Sequence, residues 1–325
     1  MDPALLDRFS ADLEALAPHD ARIGVAVSGG PDSLALLLLA TAARPGRIEA
    51  ATIDHGLRAE AADEAAMVGR ICEELEVRHS ILTARWAELP QTAIQEHARN
   101  QRYRLLGYWA EERGLDALAT AHHAEDQAET LLMRLARGSG VKGLAGMRAR
   151  SVSPGAHVRL LRPLLGWHRA ELEQVCSSAG VTPAQDPSNH DERFERVRVR
   201  RALAGLEWLD PGAIARSAAN LADADVALDW AMRAEWDRSV TERRGIIVYR
   251  PSGAPVEIVR RIVARAIRRL ATEGEREARG AELTRIVAVL SNGETATLRG
   301  VRCSGGSEWR FVPLPNRTRP VDNLE

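Results

Sequence analysis

The chain has 325 residues, 45% of them apolar and 27% charged, with 44 Lys plus Arg against 45 Asp plus Glu and three cysteines. This composition excludes disorder, collagen and a disulfide scaffold, and at roughly 150 residues per domain it points to two domains, or one with an appendage. No apolar run approaches the ~20 residues of a membrane span, the start MDPALLDRFSADLEALAP lacks a basic flank and cleavage site, and Cys72, Cys176 and Cys303 form no CxxC, so a reduced, cytoplasmic chain is expected.

The first 150 residues alternate in a βα rhythm. Short apolar runs at Arg22–Val27, Ile48–Ile53, Val77–Leu82 and Ala117–Thr120 predict strands. Helical patterns follow at Pro31–Ala43, Ala59–Leu75, Thr92–Arg113 and Ala124–Arg137. Such alternation implies an α/β fold, a doubly wound parallel sheet whose ligand lies beyond the carboxyl ends of the strands at a switch point. The rhythm breaks at Gly138. The loop GSGVKGLAG leads to VRLLRPLL, read as a last strand, then to a helix over Arg169–Ala179 and a basic helix after DPSNHDERF. A long helical pattern over 213–240 serves as a linker. Beyond it a smaller α+β unit has helices at Val256–Ala271 and Ala281–Leu290 and strands around Ala296–Val301 and Trp309–Val312. The domains expected are thus 1–205 and 206–325.

The strongest local signal is IGVAVSGGPDSLALLLLA. A strand ends at Val27, the chain turns through Ser28, Gly29 and Gly30, and a helix opens at Pro31. Glycine lets the backbone turn tightly and approach a ligand, and Pro suits the first helical position. The free N–H groups and positive dipole end of the helix then make an anion site, to which Ser28 and Ser33 add hydroxyls. No GK[ST] follows, so this is not a Walker A loop. A carboxylate here, Asp32, makes sense beside phosphates if Mg²⁺ lies between them.

Further groups fall near the same mouth. Asp54 and His55, in IDHGLR, follow the second strand. Arg99 and Arg102 lie three apart on one helix face. In AHHAEDQAET, His122 and His123 follow the fourth strand, and Asp126 and Glu129 share a helix face, able to hold Mg²⁺ or an amine. Leu131, Leu132 and Leu135 are expected to bury this helix. The histidines lack the i, i+4 spacing of a zinc helix, so zinc is rejected.

Charge is uneven. Residues 1–150 carry net −5 and 151–325 net +4, while 130–205 alone carries +7. Local clustering of this kind is the footprint of an anionic ligand. Arg162, Arg196, Arg198, Arg200 and Arg201 are the candidate anion-contacting residues. All but one of the cations are Arg; the exception is Lys142.

SGGPDS matches the SGGxDS signature of the PP-loop ATP pyrophosphatases, which cleave ATP between the α- and β-phosphates. With DHGLR, EHARNQRY, AHHAEDQAETLLMRLARGSGVKGLAGM, LRPLL and DPSNHDERFERVRVR in order, the chain resembles the tRNA(Ile)-lysidine synthetases, densely over 22–205 and more loosely after. The resemblance implies ATP-dependent ligation of free lysine to C2 of the wobble cytidine of a CAU-anticodon isoleucine tRNA through an adenylated intermediate. The product, lysidine, switches the codon read from AUG to AUA. It implies ATP and Mg²⁺ as cofactors and tRNA and L-lysine as partners, and it leaves a homodimer open. It assigns ATP to Ser28, Gly29, Gly30, Pro31, Asp32, Ser33, Asp54 and His55, a metal contact to Asp32, and lysine to Asp126 and Glu129. It gives Arg99, Arg102 and His122 catalytic roles, sets Arg162, Arg196, Arg198, Arg200 and Arg201 against the tRNA, and makes residues 206–325 a tRNA-recognition domain. The chain departs from the family where Glu125 replaces the usual Asp and Val197 the usual Asn. A tRNA thiolase, a metabolic PP-loop synthetase and a catalytically dead tRNA-docking module are the rival readings.

Overall fold

Strand–helix alternation in the first half builds the parallel sheet that its periodicity predicts. The computed structural model describes residues 2–54, 60–84, 94–184, 193, 195–206, 208–272 and 276–314. His55, Arg58 and the DPSN turn lie outside the described residues. Two units form, one of residues 1–138 and 143–220, the other of 139–142 and 221–325.

In the first unit the elements run α1 (Pro3–Glu14), β1 (Ile23–Ala26), α2 (Pro31–Ala43), β2 (Ile48–Asp54), α3 (Glu60–Glu74), β3 (Arg78–Thr83), α4 (Ile94–Glu112), β4 (Ala117–Ala119) and α5 (Ala124–Leu135). A single-turn α6 (Val141–Leu144) follows, partly in the other unit. Then come β5 (Arg150–Val152), β6 (Arg159–Leu161), α7 (Arg169–Ser178) and α8 (Glu195–Ala204). The sheet order is β3-β2-β1-β4-β6-β5. All pairs are parallel except β5 against β6. The chain steps outward from β1 to β2 and β3, then returns to place β4 on the other side of β1. The gap between the ends of β1 and β4 is therefore the switch point where such sheets bind ligands.

Helix α2 is apolar almost all round, with Leu34, Leu36, Leu37 and Leu39 fully buried. A helix of that kind is covered on every side. It packs on the sheet, on α1 and on α7, where the Cys176 thiol donates to Pro31 O at 3.3 Å. Helix α5 is oriented against expectation at its end, because Leu135 is exposed while Gln127, Ala128 and Glu129 are buried. Its inward side is partly polar, which aliphatic periodicity does not reveal.

Helix α9 (Pro211–Ser239) runs through the division at residue 220. Its first turns belong with the first unit; Ile214, Ala215 and Ala218 are buried, and a Cβ on Gly212 would lie 2.8 Å from His168 Nε2. The second unit continues with β7 (Val240–Arg243), β8 (Ile246–Tyr249), α10 (Val256–Leu270), α11 (Gly280–Ser291), β9 (Thr295–Leu298), β10 (Val301–Ser304) and β11 (Trp309–Pro313). Its antiparallel sheet has the order β7-β8-β11-β10-β9. Ile262, Val263 and Ala266 of α10 pack with Ile247, Tyr249, Leu290, Val301 and Phe311 in one core. Among the described residues no helix is long and apolar enough to cross a membrane.

Candidate active site

The turn after β1 has the geometry that its residues demand. Gly29 has φ +83, in the left-handed region that favours glycine. A Cβ there would lie 3.1 Å from the Met67 Cε. Gly30 is the N-cap of α2 and Pro31 its first residue, so the open N–H groups of the first turn face the mouth. Ser33 Oγ accepts from Ser28 N at 3.1 Å and donates to Gly30 O at 3.0 Å, and the two serine hydroxyls are 3.2 Å apart. The loop is thus cross-braced by the side chains expected to meet phosphate. Asp54 ends β2, next to β1.

Asp32 Oδ1 is buried and has no hydrogen-bond partner among the described residues. An orphaned carboxylate oxygen beside an anion-binding helix terminus fits Mg²⁺, a hard cation that takes oxygen ligands. The other oxygen, Oδ2, lies 3.5 Å from His123 Nε2.

His123 was not among the expected site residues, yet it is the hub of the cluster. Its Nε2 is also 3.6 Å from Asp126 Oδ2, and its Nδ1 is 2.7 Å from Glu125 Oε2. Burial alone would push this imidazole down. Hydrogen bonds to Asp32 and Glu125 and the charge of Asp126 outweigh it and raise the pKa to about 10. Burial would raise Glu125, but the His123 hydrogen bond and charge dominate and lower it to about 2. Glu125 also accepts from Arg169 N, at the start of α7, at 3.1 Å. A trace of this role exists in the sequence. His123 is the N-cap of α5 and its N–H donates to Asp126, three residues on, at 3.2 Å, the backbone half of a capping box.

His122 is different. Its Nδ1 is 3.0 Å from Thr120 Oγ1. Burial pushes it down to about 3, Arg162, Arg99 and Arg196 reinforcing the fall and Asp126 opposing it. The neighbouring histidines are therefore one neutral and one charged at pH 7.

Asp126 and Glu129 come together, as their spacing predicts, and they are joined by two arginines from α8. Arg196 Nη2 donates to Asp126 Oδ1 at 2.7 Å and its Nε to Glu129 Oε2 at 2.5 Å. Arg200 Nε donates to Glu129 Oε1 at 2.6 Å. The Glu129 side chain is 1% exposed. Burial would raise Asp126, but His123 and Arg196 hold it below its usual range. In this cluster Asp32, Glu125, Asp126 and Glu129 face His123, Arg196 and Arg200. Four carboxylates meet three cations.

The other expected residues divide. Arg99 and Arg102 are exposed on α4, with Arg99 over the Tyr103 ring at 5.2 Å. Arg198 and Arg201 are exposed on α8. Arg162 is buried and donates to Arg148 O at 2.7 Å, fixing the backbone before β5. On the far side of α5, Arg134 and Gln127 pin the loop after it, through Gly143 O at 2.6 Å and Met147 O at 2.9 Å. Sequence reading missed both anchors, because their partners are backbone carbonyls.

A PP-loop domain family model matches residues 5–206. The tRNA(Ile)-lysidine synthase of Novosphingobium aromaticivorans is 48% identical over 310 residues, covering 95% of this chain and 93% of the relative. That of Zymomonas mobilis is 41% identical, covering 94% and 92%. Among solved structures, the U34-tRNA thiolase NcsA of Methanococcus maripaludis, with its [4Fe-4S] cluster, superposes with a TM-score of 0.56 at 18% identity, over 67% of this chain and 78% of the thiolase. This last likeness is one of fold alone.

Proposed function

The chain belongs to the tRNA(Ile)-lysidine synthase family of PP-loop proteins, and from that premise we propose how its residues carry out ATP-dependent ligation of lysine to tRNA(Ile). The enzyme is a ligase. ATP lies at the β1–β4 switch point with its phosphates on the N–H groups of Gly30, Asp32 and Ser33, and Asp54 borders the nucleotide. Bound to Asp32, Mg²⁺ would neutralise phosphate charge. The cytosine O2 attacks the α-phosphorus, pyrophosphate leaves, and Arg99 and Arg102 offset the developing charge.

Free lysine has a side-chain pKa near 10.4, so its ammonium must be held and then deprotonated. Asp126 and Glu129 hold it, and one of them takes the proton. The ε-nitrogen forms a bond to C2, the C2–O bond breaks, and AMP leaves with the oxygen. The observation that carries this reading is the carboxylate pair at the mouth of β4, Glu129 buried and Asp126 half-buried, beside the phosphate loop. His122, neutral at pH 7, adds no repulsion. The outward arginines Arg198 and Arg201 meet RNA phosphates, and residues 206–325 take part in recognising the tRNA.

The thiolase reading finds no support in the cysteines. All three are buried, and burial pushes Cys72 and Cys176 to about 11 and Cys303 to about 12, whereas sulfur chemistry needs accessible thiolates. Incubation with ATP, tRNA(Ile) transcript and labelled lysine tests the function. Label should enter the tRNA, with pyrophosphate released. Absence of label from a folded protein overturns the reading.

A further inference from the structure

Helix α8 has two faces. Arg196 and Arg200 turn inward to Asp126 and Glu129. Arg198, Arg201, Ala202 and Gly205, at spacing i, i+3, i+4, i+7, form an exposed stripe. The chain then turns tightly, with Gly205 N on Ala202 O and Leu206 N on Leu203 O. It brings Trp208 to the surface at 78% exposure, next to Leu206 at 38%. A large aromatic left this open is an unusual use of apolar surface, since such rings normally bury most of their area.

We propose that Trp208 is a stacking platform for an unpaired base of the substrate RNA, a role that rests on the reading of this chain as a tRNA ligase. Charge selects the occupant. On its exposed face α8 carries Arg198 and Arg201 and no acid, so the approach to Trp208 along the helix is cationic and suits a polyanion. Trp230, also exposed at 73%, lacks this setting: from Asp223 to Asp237 the chain holds five acids and one Arg. Distance fits too. Helical rise to Ala204 and at most ~3.6 Å per residue beyond it keep Trp208 within about 20 Å of Arg200, which touches Glu129. A nucleotide flanking the reacting one can therefore reach the indole. Single-stranded RNA is read in this way, its phosphates on cations and its splayed bases on aromatic faces.

The test compares the full-length wild type with Trp208→Ala and Trp208→Phe for binding of tRNA(Ile) transcript across a salt series. Trp208→Ala should weaken binding roughly five- to a hundredfold, the range found for loss of one base stack. The slope of affinity against salt should not change, because no phosphate contact is lost, and Trp208→Phe should restore most of the affinity. Unchanged affinity in Trp208→Ala overturns the proposal, as does a flattened salt slope or a Phe variant as weak as Ala. A shift in oligomeric state by sedimentation with RNA affinity intact would make Trp208 a protein contact and overturn it too. Failure of the ligase reading shows separately, as absence of lysine incorporation by the wild type.

Discussion

Arg200 Nε lies 2.6 Å from Glu129 Oε1, so a cation expected to face RNA and a carboxylate expected to hold lysine are bonded to each other. Arg196 does the same with both Asp126 and Glu129. These arginines orient the carboxylates. Glu129→Gln and Asp126→Asn, in single-turnover reactions, should still release pyrophosphate from ATP and tRNA. Lysine transfer should fall by about 10²–10⁴, the usual contribution of a positioned acid–base group. Transfer at the wild-type rate in both variants would remove this pair from the chemistry.

The phosphate loop depends on its first glycine. Gly29 sits at φ +83 with Met67 3.1 Å from where a Cβ would be. Gly29→Ala is expected to cost about 1–2 kcal/mol in backbone strain, and to misalign the N–H groups of α2. Unfolding in urea should show the loss of stability, and pyrophosphate release should fall even at saturating lysine. A variant with wild-type stability and turnover would show that the left-handed turn is dispensable.

Much of the first unit was legible because its signals are local. The βα rhythm, the Ser-Gly-Gly-Pro-Asp-Ser turn and the i, i+3 carboxylates each depend on neighbours in sequence. The hub role of His123 was not, since two adjacent histidines look alike until α5 is oriented and one of them faces Asp32. The pairing of Arg196 and Arg200 with Glu129 was hidden for a similar reason: 67 residues separate Arg196 from Glu129, and periodicity does not say which face of a charged helix turns inward. In the second unit, both tight hairpin turns were missed. They are built on Arg244-Gly245 and Arg299-Gly300, with all four φ values positive. The type I′ turn usually advertises itself by Asn-Gly or Asp-Gly; an Arg in the left-handed position does not. One expected strand, Ala296–Val301, therefore spans the turn between β9 and β10.

His123 and Glu125 give the fold a pH signature. In the folded chain His123 is raised from 6.5 to about 10, so its stabilisation is complete below pH 6.5 and is lost as pH rises toward 10. Glu125 is lowered from 4.5 to about 2, so its contribution is complete above pH 4.5 and is lost as pH falls toward 2. Between about pH 4.5 and 6.5 both act in full. Urea midpoints of the protein without nucleotide or metal should decline from pH 6.5 to 9.5, and His123→Asn should lower the midpoint at pH 6.5 and flatten the decline. Parallel pH curves for wild type and variant would contradict the charged hub.

The two faces of α8 make opposite predictions for arginines that the sequence treats alike. Arg198 and Arg201 are exposed, and on the RNA reading each neutralises phosphate. The double variant Arg198→Ala, Arg201→Ala should bind tRNA more weakly and lose up to about 1.4 from its log–log salt slope, at ~0.7 per single-strand phosphate contact. Lysine transfer at saturating tRNA should survive. Arg200→Ala, which removes a partner of Glu129, should do the reverse, depressing lysine transfer with the salt slope unchanged. Equal effects of the two variants on the salt slope would mean that the inward face opens to RNA, and the division of α8 into a lysine side and an RNA side would have to be given up.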